Sequence, residues 1–176
     1  MEEVILVDKN NNVIGFMEKM EAHEKGLLHR AFSIFLFNSK HQLLLQRRAL
    51  NKYHSAGLWT NTCCSHPRKD ESFVVAANRR LKEEMGLTCK LNYAFEFIYK
   101  AKLDRNLTEH ELDHVFLGKS DKAPVINKEE AMNFKYISLE KLKIEIQNNP
   151  ESYTEWLKIC LSNVCDYISN NNYFVR

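Results

Sequence analysis

Apolar residues recur along the chain first at two-residue spacing, then at four, then at two again, and finally at three to four. Residues 4–8 and 13–17 alternate as two short strands around the polar turn Asn10-Asn11-Asn12. Residues 30–37 and 42–47 are apolar runs separated by Asn38-Ser39-Lys40-His41, which predicts a hairpin. Residues 58–65 read as extended, following Gly57. From residue 71 to 85, Phe73, Ala77, Leu81 and Met85 recur every fourth position and form one apolar helix stripe. Asp70 or Ser72 is placed to cap that helix, and Gly86 sits where it should stop. Residues 91–103 and 111–117 are again strand-like. Residues 138–146 predict a helix from a serine cap. Residues 150–168 predict another, with Trp156, Ile159, Cys160, Val164, Tyr167 and Ile168 along one side. Strands, one central helix, strands and then helices predict a mixed α/β (α+β) sandwich. A doubly wound parallel sheet would need helices between most strands.

Composition narrows the function more than the fold. With 176 residues, three prolines and five glycines, the chain has room for one domain, residues 1–176, and no interdomain linker. Hydrophobic residues make up 44% and charged residues 27%, enough apolar side chains for a core and too many for a disordered chain. The net charge is only +2 and no basic stripe stands out, which argues against a nucleic-acid partner. No apolar run approaches the ~18 residues of a membrane span, and Met-Glu-Glu-Val lacks the layout of a signal peptide. Five cysteines at irregular spacing (Cys63, Cys64, Cys89, Cys160, Cys165) do not form a disulfide framework and predict a reduced, cytoplasmic protein.

Three segments carry candidate chemistry. In a strand, Glu109, Glu111 and Asp113 share one face, and His110, Leu112 and His114 the other. Three acids on one face repel unless water or a cation lies among them, so the segment is either a solvated edge strand or a metal cradle. In Thr60-Asn61-Thr62-Cys63-Cys64-Ser65-His66-Pro67, an extended backbone turns Cys64 and His66 the same way. That pair suits a metal site or acid/base work by a thiol, or else it is a buried cysteine beside a loop histidine. At the end of the central helix, Glu83 and Glu84 lie against the negative end of the helix dipole, with Arg79 and Arg80 one turn earlier. This is either a surface ion-pair ladder or a carboxylate needed by a divalent cation.

Ser65, Glu71 and Arg79-Arg80-Leu81-Lys82-Glu83-Glu84-Met85-Gly86-Leu87 have the spacing of a Nudix box, G-x5-E-x7-R-E-U-x-E-E-x-G-U. Two positions depart. Ser65 stands for the opening glycine, and Arg80 stands where Nudix hydrolases carry a metal-binding glutamate, which implies weakened hydrolysis. Together with Lys25-Gly26-Leu27-Leu28-His29-Arg30-Ala31-Phe32-Ser33, the 60–67 segment and Glu109-His110-Glu111, the chain from about residue 4 to 156 resembles type 1 isopentenyl-diphosphate Δ-isomerases.

The resemblance implies a Nudix-like fold of mixed sheets flanked by helices. It implies interconversion of isopentenyl and dimethylallyl diphosphate in the cytoplasm, for isoprenoid synthesis. It places metal ligands at His23, His29, His66, Glu109 and Glu111, and a carboxylate for a substrate-borne Mg2+ at Glu84. It places the catalytic thiol at Cys64, its acidic partner at Glu111 with Tyr99 beside it, and an aromatic wall at Trp156. Diphosphate contacts fall on Lys19, Arg48, Lys52 and Arg80. The three-nitrogen, two-oxygen ligand set suits one divalent ion, Zn2+, Mn2+ or Mg2+. The expected partner is a small diphosphate, with no nucleic acid or membrane, and the expected state a monomer or weak homodimer. A Nudix pyrophosphohydrolase of a nucleoside diphosphate derivative, keeping Glu71, Glu83 and Glu84, is the alternative. A metal-stabilised binding module is a third reading.

These residue types suit a 1,3-proton shift on an unactivated alkene. Adding a proton makes a tertiary carbocation, and another proton leaves from the far side, so two acid/base groups are required. An indole face stabilises the cation without attacking it, by ~0.5–2 kcal/mol. Lys, Arg and Mg2+ answer the charge of a diphosphate.

Overall fold

Alternation along one strand sorts the molecule into layers. The computed structural model describes residues 2–175. In β3 (His29–Phe37), Phe32, Ile34 and Leu36 pack with Ala76, Ala77, Leu81 and Met85 of helix α2 (Phe73–Met85). Phe35 and Phe37 turn the other way, onto Leu139 and Leu142 of α3 (Leu139–Asn148) and Leu157, Leu161 and Val164 of α4 (Glu155–Asn170). One mixed sheet thus lies between α2 and the α3–α4 pair, as the apolar pattern predicts. No helix among the described residues is long and apolar enough to cross a membrane.

The sheet order is β2 (Val13–Glu18), β1 (Glu3–Val7), β3, β4 (Leu43–Arg48) and β5 (Trp59–Thr60), with further strands paired off this path. β8 (Thr108–Lys119) runs parallel to β3 along its whole length and antiparallel to β7 (Leu91–Lys102). The predicted hairpin of β3 and β4 exists only at its turn. The two strands pair at Phe37↔Leu43 and then diverge. β4 continues against β5 and β9 (Ala131–Ile137), while β3 takes β6 (Cys63–Ser65). The segment predicted as one extended run therefore crosses from one strand to the other at Asn61-Thr62.

Buried polar groups hold that crossing open. Thr62 Oγ1 donates to Leu44 O of β4 (2.6 Å) and accepts from Leu36 N of β3 (2.9 Å). Asn61 Nδ2 donates to Ile34 O (3.2 Å) and Cys63 O (2.9 Å). Main-chain groups that the ladder would have paired are satisfied by side chains instead. Thr154 N donates to Trp59 O (3.0 Å), and Thr154 Oγ1 to Thr60 Oγ1 (3.0 Å), which ties the start of α4 to β5.

Ser72, of the two candidates, caps α2 by accepting from Val75 N. Gly86 ends the helix at φ 65°, where an added Cβ would lie 2.7 Å from Val125 O. Two elements escape the periodic reading. Helix α1 (Lys19–Lys25) buries only Ala22 and His23, too few for a stripe. β9 buries only Ala131 and Ile137, its two ends. The last helix starts at Glu155 rather than at residue 150, because Pro150–Ser152 forms a separate 3-10 turn.

Candidate active site

The divergence of β3 and β4 opens a cavity at one end of the sheet. Alternation along β8 turns Glu109, Glu111 and Asp113 to one buried face, which rejects the solvated-edge reading. The parallel register sets His29 opposite Glu111, α1 brings His23 above them, and the chain leaving β6 brings His66. His66 Nε2 is 3.0 Å from Glu111 Oε1, His29 Nε2 is 3.6 Å from the same oxygen, and His23 Nε2 is 3.2 Å from Glu109 Oε2. His110 and His114 fall on the other side. His110 Nδ1 meets Gly26 O at 3.0 Å, and His114 stacks on Phe73 and pairs with Glu96.

These side chains are set up as ligands. His23 Nδ1–H donates to Lys19 O (2.7 Å) and His29 Nδ1–H to Leu27 O (2.8 Å), so each Nε2 offers a lone pair inward. His23 Nε2, His29 Nε2 and Glu109 Oε2 are buried with no hydrogen-bond partner among the described residues. Ligand atoms of His23, His29, His66 and Glu111 lie within 4.8 Å of one another. Orphaned lone pairs converging beside two buried carboxylates fit a divalent cation.

The field inside the cavity splits its titrating groups. Burial and the charge of Glu111 raise Glu109 and Asp113 above the ordinary carboxylate range. Burial works on Glu111 in the same sense, but the neighbouring imidazoles of His29 and His66, the latter in hydrogen-bond contact at 3.0 Å, outweigh it and hold that carboxyl well below the range. Burial lowers His66 to about 4 against the pull of Glu111. At His23 burial is overcome by Glu109, and the net shift is upward. Tyr99 donates to Glu111 Oε2 (2.6 Å), and burial and Glu111 keep its hydroxyl protonated.

The two adjacent cysteines part company. In the antiparallel register Cys63 lies opposite Ile34 and is fully buried in the α2 core. Cys64 lies opposite Ser33, is half-buried, and lines the cavity with Tyr99, Glu109, Glu111 and Trp156. Burial drives its thiol well above the ordinary range, against the pull of Arg48. Trp156 is 4% exposed, with its indole N–H unpartnered among the described residues.

All four predicted basic residues line the same cavity. Lys19 pairs with Glu2 (2.6 Å) and Lys52 with Glu130. Arg80 bridges Glu83 (2.8 Å), Glu84 (2.8 Å) and Glu130 (3.0 Å). Arg48 is committed to the backbone, donating to Ser55 O and His54 O, with its guanidinium 5.2 Å from the Trp156 ring. Glu84 reaches the cavity and also accepts from Gln46 (2.8 Å). Two other acids of the box do not line it. Glu71 forms a bidentate pair with Arg79 and accepts from Arg68 N, closing the loop before α2, and Glu83 sits on the two arginines.

Sequence reasoning missed Gln46, His54 and Glu130. Gln46 is the one uncharged polar residue in the apolar run of β4 and could have been noticed. His54 and Glu130 lie in polar loops, where nothing in the spacing sets them apart.

Residues 27–157 match the model of the NUDIX domain. The chain is 52% identical over 170 residues to an isopentenyl-diphosphate Delta-isomerase 2 of Aromatoleum aromaticum, covering 97% of this chain and 90% of that one. It is 55% identical over 159 residues to an isopentenyl-diphosphate Delta-isomerase 2 of Photorhabdus laumondii, covering 90% of each. Among solved structures, a Deinococcus radiodurans protein superposes with a TM-score of 0.78 at 20% identity, over 92% of this chain and 98% of that one. A MutT protein of Methanosarcina mazei does so at 0.66 and 20%, over 82% and 95%. These two likenesses establish the fold alone.

Proposed function

As the chain belongs to the Nudix family and, within it, to the isopentenyl-diphosphate Delta-isomerases, we propose that it interconverts isopentenyl and dimethylallyl diphosphate with Cys64 and Glu111 as its acid/base pair. The observation that carries this assignment is geometric: the Cys64 thiol and the Glu111 carboxylate line one cavity with Trp156, and Glu111 is fixed between His66 Nε2 (3.0 Å) and the Tyr99 hydroxyl (2.6 Å). Burial keeps the thiol protonated. A proton-bearing and a proton-free group facing one substrate are what a 1,3-proton shift requires.

The Cys64 thiol gives its proton to the terminal alkene carbon. The π electrons form the new C–H bond, and positive charge is left on the tertiary carbon. Glu111 takes a proton from the carbon on the diphosphate side, and those C–H electrons become the new double bond. Tyr99, donating to Glu111, orients that carboxylate. Trp156 presents an indole, which attracts the cation without bonding to it. Water must be kept from the cation, which it would trap as an alcohol.

His23, His29, His66, Glu109 and Glu111 would hold one divalent ion, whose charge lets the two neighbouring carboxylates both ionise. Three imidazoles favour Zn2+ or Mn2+ over Mg2+. Lys19, Arg48, Lys52 and Arg80 would receive the diphosphate, and Glu84 would serve the Mg2+ it carries. The cysteines are free among the described residues, which is consistent with a reducing, cytoplasmic setting.

Incubation with isopentenyl diphosphate and Mg2+ in deuterated water tests the reading. Deuterium should enter dimethylallyl diphosphate, with no phosphate or pyrophosphate released. Release of either without isomerisation would return the chain to the pyrophosphohydrolases.

A further inference from the structure

Glu109 is approached from two sides. Its Oε2 lies 3.2 Å from His23 Nε2, and its Oε1 lies 3.3 Å from Nε2 of His54, a residue outside every motif. His54 is 3% exposed in the loop after β4. That loop is fastened at several points. Arg48 Nη2 donates to His54 O (3.0 Å), Arg48 Nε donates to Ser55 O (3.2 Å), and Ser55 N donates to Asp104 Oδ1 (3.2 Å). Ser55 itself is held at φ 49°, a left-handed conformation that costs a non-glycine residue energy and signals a fixed loop. The His54 ring stands edge-on to Trp156, with centroids 5.7 Å apart.

We propose that His54 is a positioning residue that fixes the Glu109 carboxylate for the divalent ion. A carboxylate only accepts, so His54 Nε2 carries the hydrogen and faces Oε1. His54 Nδ1, 3.3 Å from Ser55 Oγ, is then left to accept from that hydroxyl. With Oε1 held, Oε2 stays turned toward His23 and the ion. Ligand atoms of His23, His29, His66 and Glu111 form one mutually close group, and those of His23, His54 and Glu109 form a second that shares His23. In this proposal His54 acts on the ion through Glu109. The inference rests on the metal-dependent isomerase reading but is tested without substrate.

Two variants separate the alternatives. His54→Phe keeps a ring beside Trp156 and removes the donor. His54→Gln keeps an N–H near the place of Nε2. Apo protein is titrated with Mn2+ against a competing chelator and with Co2+ by visible absorption. We expect His54→Phe to weaken Mn2+ binding roughly 10–100-fold, the usual loss when a residue behind a metal ligand is removed. His54→Gln should recover most of it, with the Co2+ spectrum of the parent. In turnover, His54→Phe should lower kcat and leave the KM for isopentenyl diphosphate unchanged. Parental Mn2+ affinity in His54→Phe overturns the proposal. So does a His54→Gln variant as weak as His54→Phe with an altered Co2+ spectrum, which would make His54 a ligand. Failure of the parent to isomerise would overturn the functional reading and leave the metal result standing.

Discussion

Cys64 and Cys63 occupy opposite faces of β6, and the proposed proton transfer calls on Cys64 alone. Cys64→Ala should abolish turnover while bound metal, measured by elemental analysis, stays at the parental level. Cys63→Ala should keep kcat and lose about 1 kcal/mol of stability in urea for the small void it leaves in the α2 core. Turnover by Cys64→Ala would remove the thiol from the mechanism. Strand alternation made it legible that Cys64 and His66 share a face, whereas the thiol's role came from the resemblance alone. The roles of Gln46 and Glu130 were not legible. Each acts through a partner far along the chain, Glu84 for Gln46 and Lys52 and Arg80 for Glu130. No short-range rule relates such positions.

At the scale of elements, the stripes of α2 and α4 and the period of β3 and β8 were readable, because each buries one continuous face. The β3–β4 hairpin was only half readable. Its turn is local, but the divergence depends on Thr62, which looks like any threonine until its two bonds are seen. Thr62→Val keeps the shape and strips the bonds from Leu36 N and Leu44 O, so it should cost about 2–4 kcal/mol in urea unfolding. A near-neutral result would mean that the strands part for another reason. Glu71 and Arg79 make a second element-scale device, joining the loop before α2 to the helix. The Arg79 hydrogen bonds hold Glu71 below its ordinary 4.5 in the folded chain. The pair therefore stabilises fully above that value, and its contribution is lost as pH falls through the lowered one. Stability measured across the acid limb should fall less steeply in Glu71→Gln, by about 1 kcal/mol in total.

At the scale of the whole molecule, the five predicted metal ligands come from α1, β3, β8 and the chain after β6, so an ion there joins a short, weakly buried helix to the sheet. Removing metal should lower Tm by roughly 5–10 °C relative to protein at a hundredfold excess over Kd, as binding to the native state alone requires. Hydrogen exchange of α1 should rise most. An unchanged Tm after chelation would argue that the histidine cluster holds no ion. The overall layering was legible from the order of patterns, whereas the site was legible mainly through resemblance, since only the β8 acids announced themselves physically.

The acids seated on Lys19, Lys52 and Arg80 have a consequence for how substrate arrives. A diphosphate entering the cavity does not find bare cations to neutralise. Bound as proposed, it would displace Glu2 and Glu130 from their cations. The displaced carboxylates stay beside the cavity and offset part of the attraction, so KM should rise less steeply with ionic strength than bare cations would give. Replacing Glu130 with Gln should steepen that dependence and tighten binding at low salt.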